Sequence, residues 1–128
     1  MQRTNFSSGA KWEDIVGYSR AVLIGNQLEL SGTVATDENG QVVGKDDPYA
    51  QTVFILQKIE RVLHQAGFTL EHVVRTRMFV TNIARWEEIG KAHGMFFKNI
   101  KPVTSMIEIK ALIDPDYQIE IEVTAVKS

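Results

Sequence analysis

Residues 118–125 read Gln-Ile-Glu-Ile-Glu-Val-Thr-Ala, a strict alternation that sends Ile119, Ile121, Val123 and Ala125 to one face of a strand and Glu120, Glu122 and Thr124 to the other. A second such run, Val103-Thr104-Ser105-Met106-Ile107-Glu108-Ile109, lies before it, separated by an Asp114-Pro115-Asp116 turn. Earlier, two apolar-rich runs at 21–24 and 27–30 flank Gly25-Asn26, a pair that tolerates the positive φ of a two-residue hairpin. Asp37-Glu38-Asn39-Gly40 supplies a turn in the loop that follows.

The period then changes. Asp47 and Pro48 offer an N-cap and a first helical residue, Gly67 a stop, and between them Val53, Leu56, Ile59, Leu63 and Ala66 recur as one helical stripe. Residues 73–81 return to strand alternation, with Val74, Thr76, Met78 and Val80 on one side and Arg75, Arg77 and Phe79 on the other. A second helix is predicted from near Asn82 to about Phe97, with Trp86, Ile89, His93, Phe96 and Phe97 facing inward. Residues 1–17 are polar, with Trp12 and Ile15-Val16 as anchors, and read as an irregular arm ordered against the rest.

The order ββαβαββ predicts a single α+β domain over residues 1–128, with two helices packed on one face of a mixed sheet. The far face then carries Glu120, Glu122, Thr124, Arg75 and Arg77, a half-polar surface suited to burial in an oligomer. No repeat or linker interrupts the pattern. At 44% hydrophobic and 23% charged residues, the composition is that of an ordinary soluble domain. A formal charge of -2 gives no broad basic field for a phosphate backbone, which disfavours nucleic acid as a partner. No segment has the apolar length of a signal peptide or a membrane span, so a cytoplasmic setting is expected.

Candidate chemistry starts with exclusions. The chain has no cysteine, hence no disulfide, thiolate metal site or reactive thiol. His64, His72 and His93 are too scattered for a metal motif, while Asp46-Asp47 and Asp114-Pro115-Asp116 fit caps and turns better than Ca²⁺ loops. No phosphate loop or nucleophile elbow is present, and a cofactor-free function is expected.

Lys101-Pro102-Val103-Thr104-Ser105, followed by the Ile119-Glu120-Ile121-Glu122 strand, resembles the C-terminal signature of the Rid family, also called YjgF, the reactive intermediate deaminases. Tyr18, at that family's spacing ahead of Gly25-Asn26, the Ser31-Gly32 corner and Phe79-Val80 extend the resemblance over most of the chain. It implies a chorismate-mutase-like fold and a homotrimer in which three sheets form a central barrel, with small-molecule clefts between subunits. It also implies hydrolysis of an imine or enamine to a carbonyl and ammonia; a non-catalytic binding or regulatory trimer and an endoribonuclease or translation inhibitor are the alternatives. The departure falls at Thr104, where deaminating members carry an arginine that clamps a substrate carboxylate, and at Met106, where many carry cysteine. A threonine hydroxyl offers one neutral donor where a guanidinium offers a charged fork.

The resemblance makes Glu120 the acid that orders an attacking water, Tyr18 the wall of the pocket, and Thr104, Ser105 and the backbone near Met106 ligand contacts. From the residues alone, Glu120 equally fits an ion pair with Arg75, Arg77 or Lys110, and Tyr18 a packing contact at a subunit boundary. Gly32 permits close backbone approach or marks a bulge. Arg20, two residues beyond Tyr18, shares its side of an extended chain and is the candidate cation to replace the missing arginine; a solvated surface arginine is the simpler reading.

Overall fold

Asp47 fixes the start of the longest helix. Its carboxylate accepts the Ala50 amide at 3.0 Å, Pro48 takes the first helical position, and the helix runs from Pro48 to Gln65 before Gly67 turns the chain at φ +83°. Such a cap contributes about 1 kcal/mol. Ile55, Leu56, Ile59 and Leu63 on this helix are fully buried against the sheet, each stabilising the fold by roughly 1.5–3 kcal/mol.

The computed structural model describes residues 2–128. Its strands are β1 (Arg3–Phe6), β2 (Ala21–Ile24), β3 (Gln27–Thr33), β4 (Val73–Val80), β5 (Val103–Glu108) and β6 (Ile119–Val126); its helices are α1 (Lys11–Val16), α2 (Pro48–Gln65) and α3 (Trp86–Phe97). The six strands form one sheet in the order β1-β2-β3-β6-β4-β5. Only β4 and β5 run parallel, joined by the crossover through α3, so the sheet is mixed.

The register sorts the side chains by face. Ile119, Ile121, Val123 and Ala125 of β6 join Met78 and Val80 of β4 and Leu28 and Leu30 of β3 in the core beneath α2 and α3. The other face carries rows that run straight across the strands: Ile107, Phe79 and Glu120 in one, Ser105, Arg77 and Glu122 in the next. Val103 and Ile107 on that face are 56% and 47% exposed. Thr104 and Met106 point the other way, in register with Thr76 and Met78 on the helix side.

The α+β architecture with two main helices on one side of the sheet matches the sequence expectation, but its start does not. The order is βαββαβαββ, because residues assigned to an irregular arm form β1 and α1. Arg3-Thr4-Asn5-Phe6 holds one apolar residue, so no period-2 signal marks it; the strand exists because its backbone pairs with β2, Phe6 opposite Ala21. Val74 was expected on the inner face and is 45% exposed, because a bulge between Val73 and Arg75 shifts the phase of β4. Trp86 is 55% exposed rather than inward, since a 3-10 turn at Ile83–Arg85, capped by Asn82, delays the start of α3 and rotates its first residue outward. Val53 on α2 and Ala66 just past its end are only partly covered, and Ile55 takes the deeper place. No helix of the described residues is long and apolar enough to cross a membrane.

Candidate functional site

The arm, folded as β1 and α1, builds one side of the site. Glu13 on α1 is buried, and its carboxylate accepts from the Ser7 hydroxyl at 2.8 Å and from the Ser8 hydroxyl and amide. Burial alone would raise this carboxyl, but the hydrogen bonds from Ser8 and Ser7 outweigh it and hold Glu13 below the usual carboxylate value. The Glu13 carbonyl then accepts the amides of Gly17 and Tyr18 at 2.9 and 3.0 Å, which sets where Tyr18 leaves the helix. Two residues on, the Arg20 amide donates to Phe6 O at 2.9 Å, so β1 clamps the backbone that carries the guanidinium.

The second side is a bulge in β3. Leu30 pairs with Val123 and Thr33 with Ile121, so the segment containing Ser31 and Gly32 carries one residue more than its partner. The extra residue brings Gly32 against the Glu120 side chain: a Cβ built on Gly32 would lie 2.5 Å from Glu120 Cδ. The Arg20 guanidinium reaches across and donates to Gly32 O at 2.6 Å, while its Nε is buried without a partner. Gly32→Ala is therefore expected to leave stability close to wild type, because a flexible carboxylate end can move aside. The same substitution should displace the Glu120 carboxyl; an unmoved Glu120 in a structure of Gly32→Ala would contradict the packing.

Tyr18, Arg20, Gly32 and Glu120 line one cleft of about 490 Å³, closed by Val34 on one side and by Ala111, Leu112, Ile113 and Tyr117 of the β5–β6 loop on the other. Three hydrogen bonds hold these walls. Tyr117 OH bonds Thr36 Oγ1, and Lys58 Nζ donates to Val34 O and Thr36 O at 3.0 and 2.8 Å. The Lys58 ammonium is half-buried, and burial followed by repulsion from Arg20 and Arg61 lowers its pKa.

Glu120 is the unusual group. It is half-buried and makes no ion pair or hydrogen bond among the described residues; Arg77, a candidate partner, lies instead 3.9 Å from Glu122. Burial raises the Glu120 pKa first, the neighbouring Glu122 charge raises it further, and Arg20 pulls it back. A carboxylate kept basic, unpaired and open to a cleft can hold and polarise a water.

Thr104, Ser105 and Met106 do not join this cleft within the chain. They lie on β5 at the opposite edge of the sheet from β1, with Ser105 on the open face and Thr104 and Met106 on the helix side. The Thr104 hydroxyl donates to Pro102 O at 3.1 Å and meets Thr76 Oγ1 at 2.9 Å, which in turn meets His93 Nε2 at 2.9 Å. Glu13, Lys58 and Tyr117 supported the site without being singled out in sequence, as did the tie of His93 to Thr104. The adjacent acids Glu13 and Asp14, between Ser7-Ser8 and Tyr18, were the one legible sign among them. Among the described residues no three His, Asp or Glu side chains gather as a metal site.

Sheet, helix pair and an acid-bearing cleft beside a β3 bulge define the class, an α+β protein of the YjgF kind. The chain belongs to the Rid/YjgF family, and the family model described as Endoribonuclease L-PSP matches residues 9–127. Rv2704 of Mycobacterium tuberculosis, a member of the YjgF/YER057c/UK114 family, is 48% identical, with a TM-score of 0.89 covering 98% of this chain and 100% of that one. The Rid-family protein YyfA of Yersinia pestis is 30% identical, with a TM-score of 0.85 over 98% and 100% of the two chains. An uncharacterized protein of Streptomyces coelicolor, SCO2049, is 30% identical over 118 residues, 92% of this chain and 87% of its own.

Proposed function

We propose that this chain is the single-domain, cytoplasmic protomer of a homotrimer that hydrolyses a small carboxylate-bearing imine or enamine, in a Rid subgroup whose substrate-binding arginine is replaced by Thr104. The observation that carries the reading is Glu120: a half-buried, unpaired carboxylate of raised pKa, sharing one cleft with the Arg20 cation and Tyr18. Water held by Glu120 adds to the imine carbon and gives a carbinolamine. The C–N bond then breaks, its electron pair leaves with the protonated nitrogen as ammonia, and the carbon keeps the oxygen as a carbonyl. An enamine enters the same course after tautomerising to the imine. Arg20 takes the carboxylate, Tyr18 shapes the pocket, and the backbone near Met106 with Ser105 completes it.

The trimer, which the family resemblance implies, is supported by geometry that one chain leaves incomplete. Glu120 and Thr104 occupy opposite faces of the sheet, and β5 is an edge strand that exposes Val103 and Ile107. A neighbouring copy packed on this edge brings its β5 residues to the Glu120 cleft and buries an edge otherwise open to pairing. Purified protein is accordingly expected at three times the 14.4 kDa protomer mass. Ile107→Asp, which places a charge in that contact, should yield monomer without hydrolysis; an active monomer would refute the intersubunit cleft.

Ammonia release from freshly generated imines, measured against the spontaneous rate, tests the activity. Thr104 favours one other reading, a binding or regulatory trimer without turnover. Thermal shifts with small keto and amino acids but no ammonia would select it. RNA cleavage that persists after salt is raised would select the endoribonuclease reading, against which the charge of -2 argues.

A further inference from the structure

The hydroxyl at position 104 is not a free rotor. A threonine oxygen carries one proton and two lone pairs. In Thr104 the proton goes to Pro102 O, at 3.1 Å, and one lone pair faces Thr76 Oγ1, at 2.9 Å. Thr76 is fully buried, so its single proton has one destination in this arrangement, the Thr104 oxygen. Its own oxygen must then be satisfied from the far side, by an N–H on His93 Nε2 at 2.9 Å.

The opposite direction satisfies fewer groups. With Thr76 donating to His93 Nε2 and Thr104 donating to Thr76, Pro102 O loses its bond from Thr104. The imidazole proton would then sit on Nδ1, for which the described residues offer no acceptor. The His93 ring packs on Phe97 with centroids 4.7 Å apart, and burial holds its pKa below the usual imidazole value, so a single ring proton is the resting state near neutral pH. That proton belongs on Nε2, where it completes the chain His93 to Thr76 to Thr104 to Pro102.

From this we infer that Thr104 shows the cleft one lone pair and no proton, so the position that carries a carboxylate clamp in deaminating relatives here accepts a hydrogen from the ligand. The inference rests on the intersubunit cleft proposed above. It sets the orientation of the ligand proposed above: the N–H points toward Thr104 and the carboxylate toward Arg20. A carboxylate oxygen at Thr104 would meet lone pair against lone pair. Thr76 and His93 are positioning residues that fix the direction of the hydroxyl proton without touching the ligand.

Two measurements on the assembled protein test this. Imidazole ¹⁵N spectra, assigned to His93 with a His93→Gln control, should show the Nε2–H tautomer in the absence of ligand. Calorimetric titration should then compare 2-aminobutanoate, which donates at C2, with 2-oxobutanoate, which only accepts. Thr104→Val should reduce the amino-to-oxo affinity ratio about tenfold, the effect of one hydrogen bond, while Thr104→Ser retains it. Arg20→Ala should weaken both probes alike. An Nδ1–H tautomer, or a ratio unchanged in Thr104→Val, overturns the acceptor assignment while leaving the cleft intact. Binding of both probes without any dependence on Arg20, or no binding at all, instead overturns the cleft and the ligand class with it.

Discussion

Glu120→Gln is expected to reduce imine hydrolysis by about 10²–10⁴-fold, the range in which a positioned acid or base contributes, while the trimer and its ligand affinity persist. Glutamine keeps the shape against Gly32 and loses the negative charge that polarises water. The same variant should be more stable than wild type at neutral pH. Because burial and Glu122 raise the Glu120 pKa, the folded protein holds this proton to higher pH than the unfolded chain does. Its contribution to stability is then fully present below the ordinary carboxylate value and is lost as pH rises through the folded value. Glutamine mimics the neutral form, so the gain in Tm should appear near pH 7 and vanish near pH 4. A stability gain paired with a loss of turnover marks a group kept for chemistry. A destabilised Glu120→Gln protein would mean that Glu120 serves as a structural partner instead.

Arg20→Ala carries the second large effect. Removing a charged partner from a desolvated site costs roughly 2–5 kcal/mol, so ligands bearing a carboxylate should bind about 30-fold more weakly or worse. Arg20 also bonds Gly32 O at 2.6 Å, and its truncation alone could loosen the bulge. Two controls separate these effects. Arg20→Lys keeps the charge without the fork and should recover part of the affinity, and neutral ligands should be affected far less than acids in either variant. Loss of Arg20 also removes the charge that draws the Glu120 pKa down, so the acid limb of the pH–rate profile should move to higher pH. Affinity for small acids unchanged in Arg20→Ala would leave the site without its cation.

Most of this architecture was legible because its signals are local. The alternation in β6, the Asp47-Pro48 cap and the apolar stripe of α2 each place residues by period alone, and the acids of β6 stand on the face that the period demands. What escaped depended on contacts distant in sequence. β1 is ordered by pairing with β2 rather than by its own pattern, and the bulge in β4 turned Val74 outward where simple alternation sent it in.

The site divided along the same line. Tyr18, Arg20, Gly32 and Glu120 converge through a bulge and an arm, and Tyr18 and Arg20 line one cleft although the chain bends at Arg20 before β2 begins. Thr104 and Ser105 are neighbours in sequence yet face opposite sides of β5, so within one chain the strand holds their hydroxyls apart. The tie from Thr104 to His93 crosses a strand and a helix, and nothing in the spacing of these residues announces it.

The account stands on Glu120 acting as a base of raised pKa, and the pH dependence of kcat/KM for ammonia release addresses that directly. Between about pH 4 and 8 the wild-type rate should rise with deprotonation of one group above the ordinary carboxylate value, and Glu120→Gln should show neither the rise nor the rate. A profile flat across that range, or one that Glu120→Gln reproduces, would contradict it.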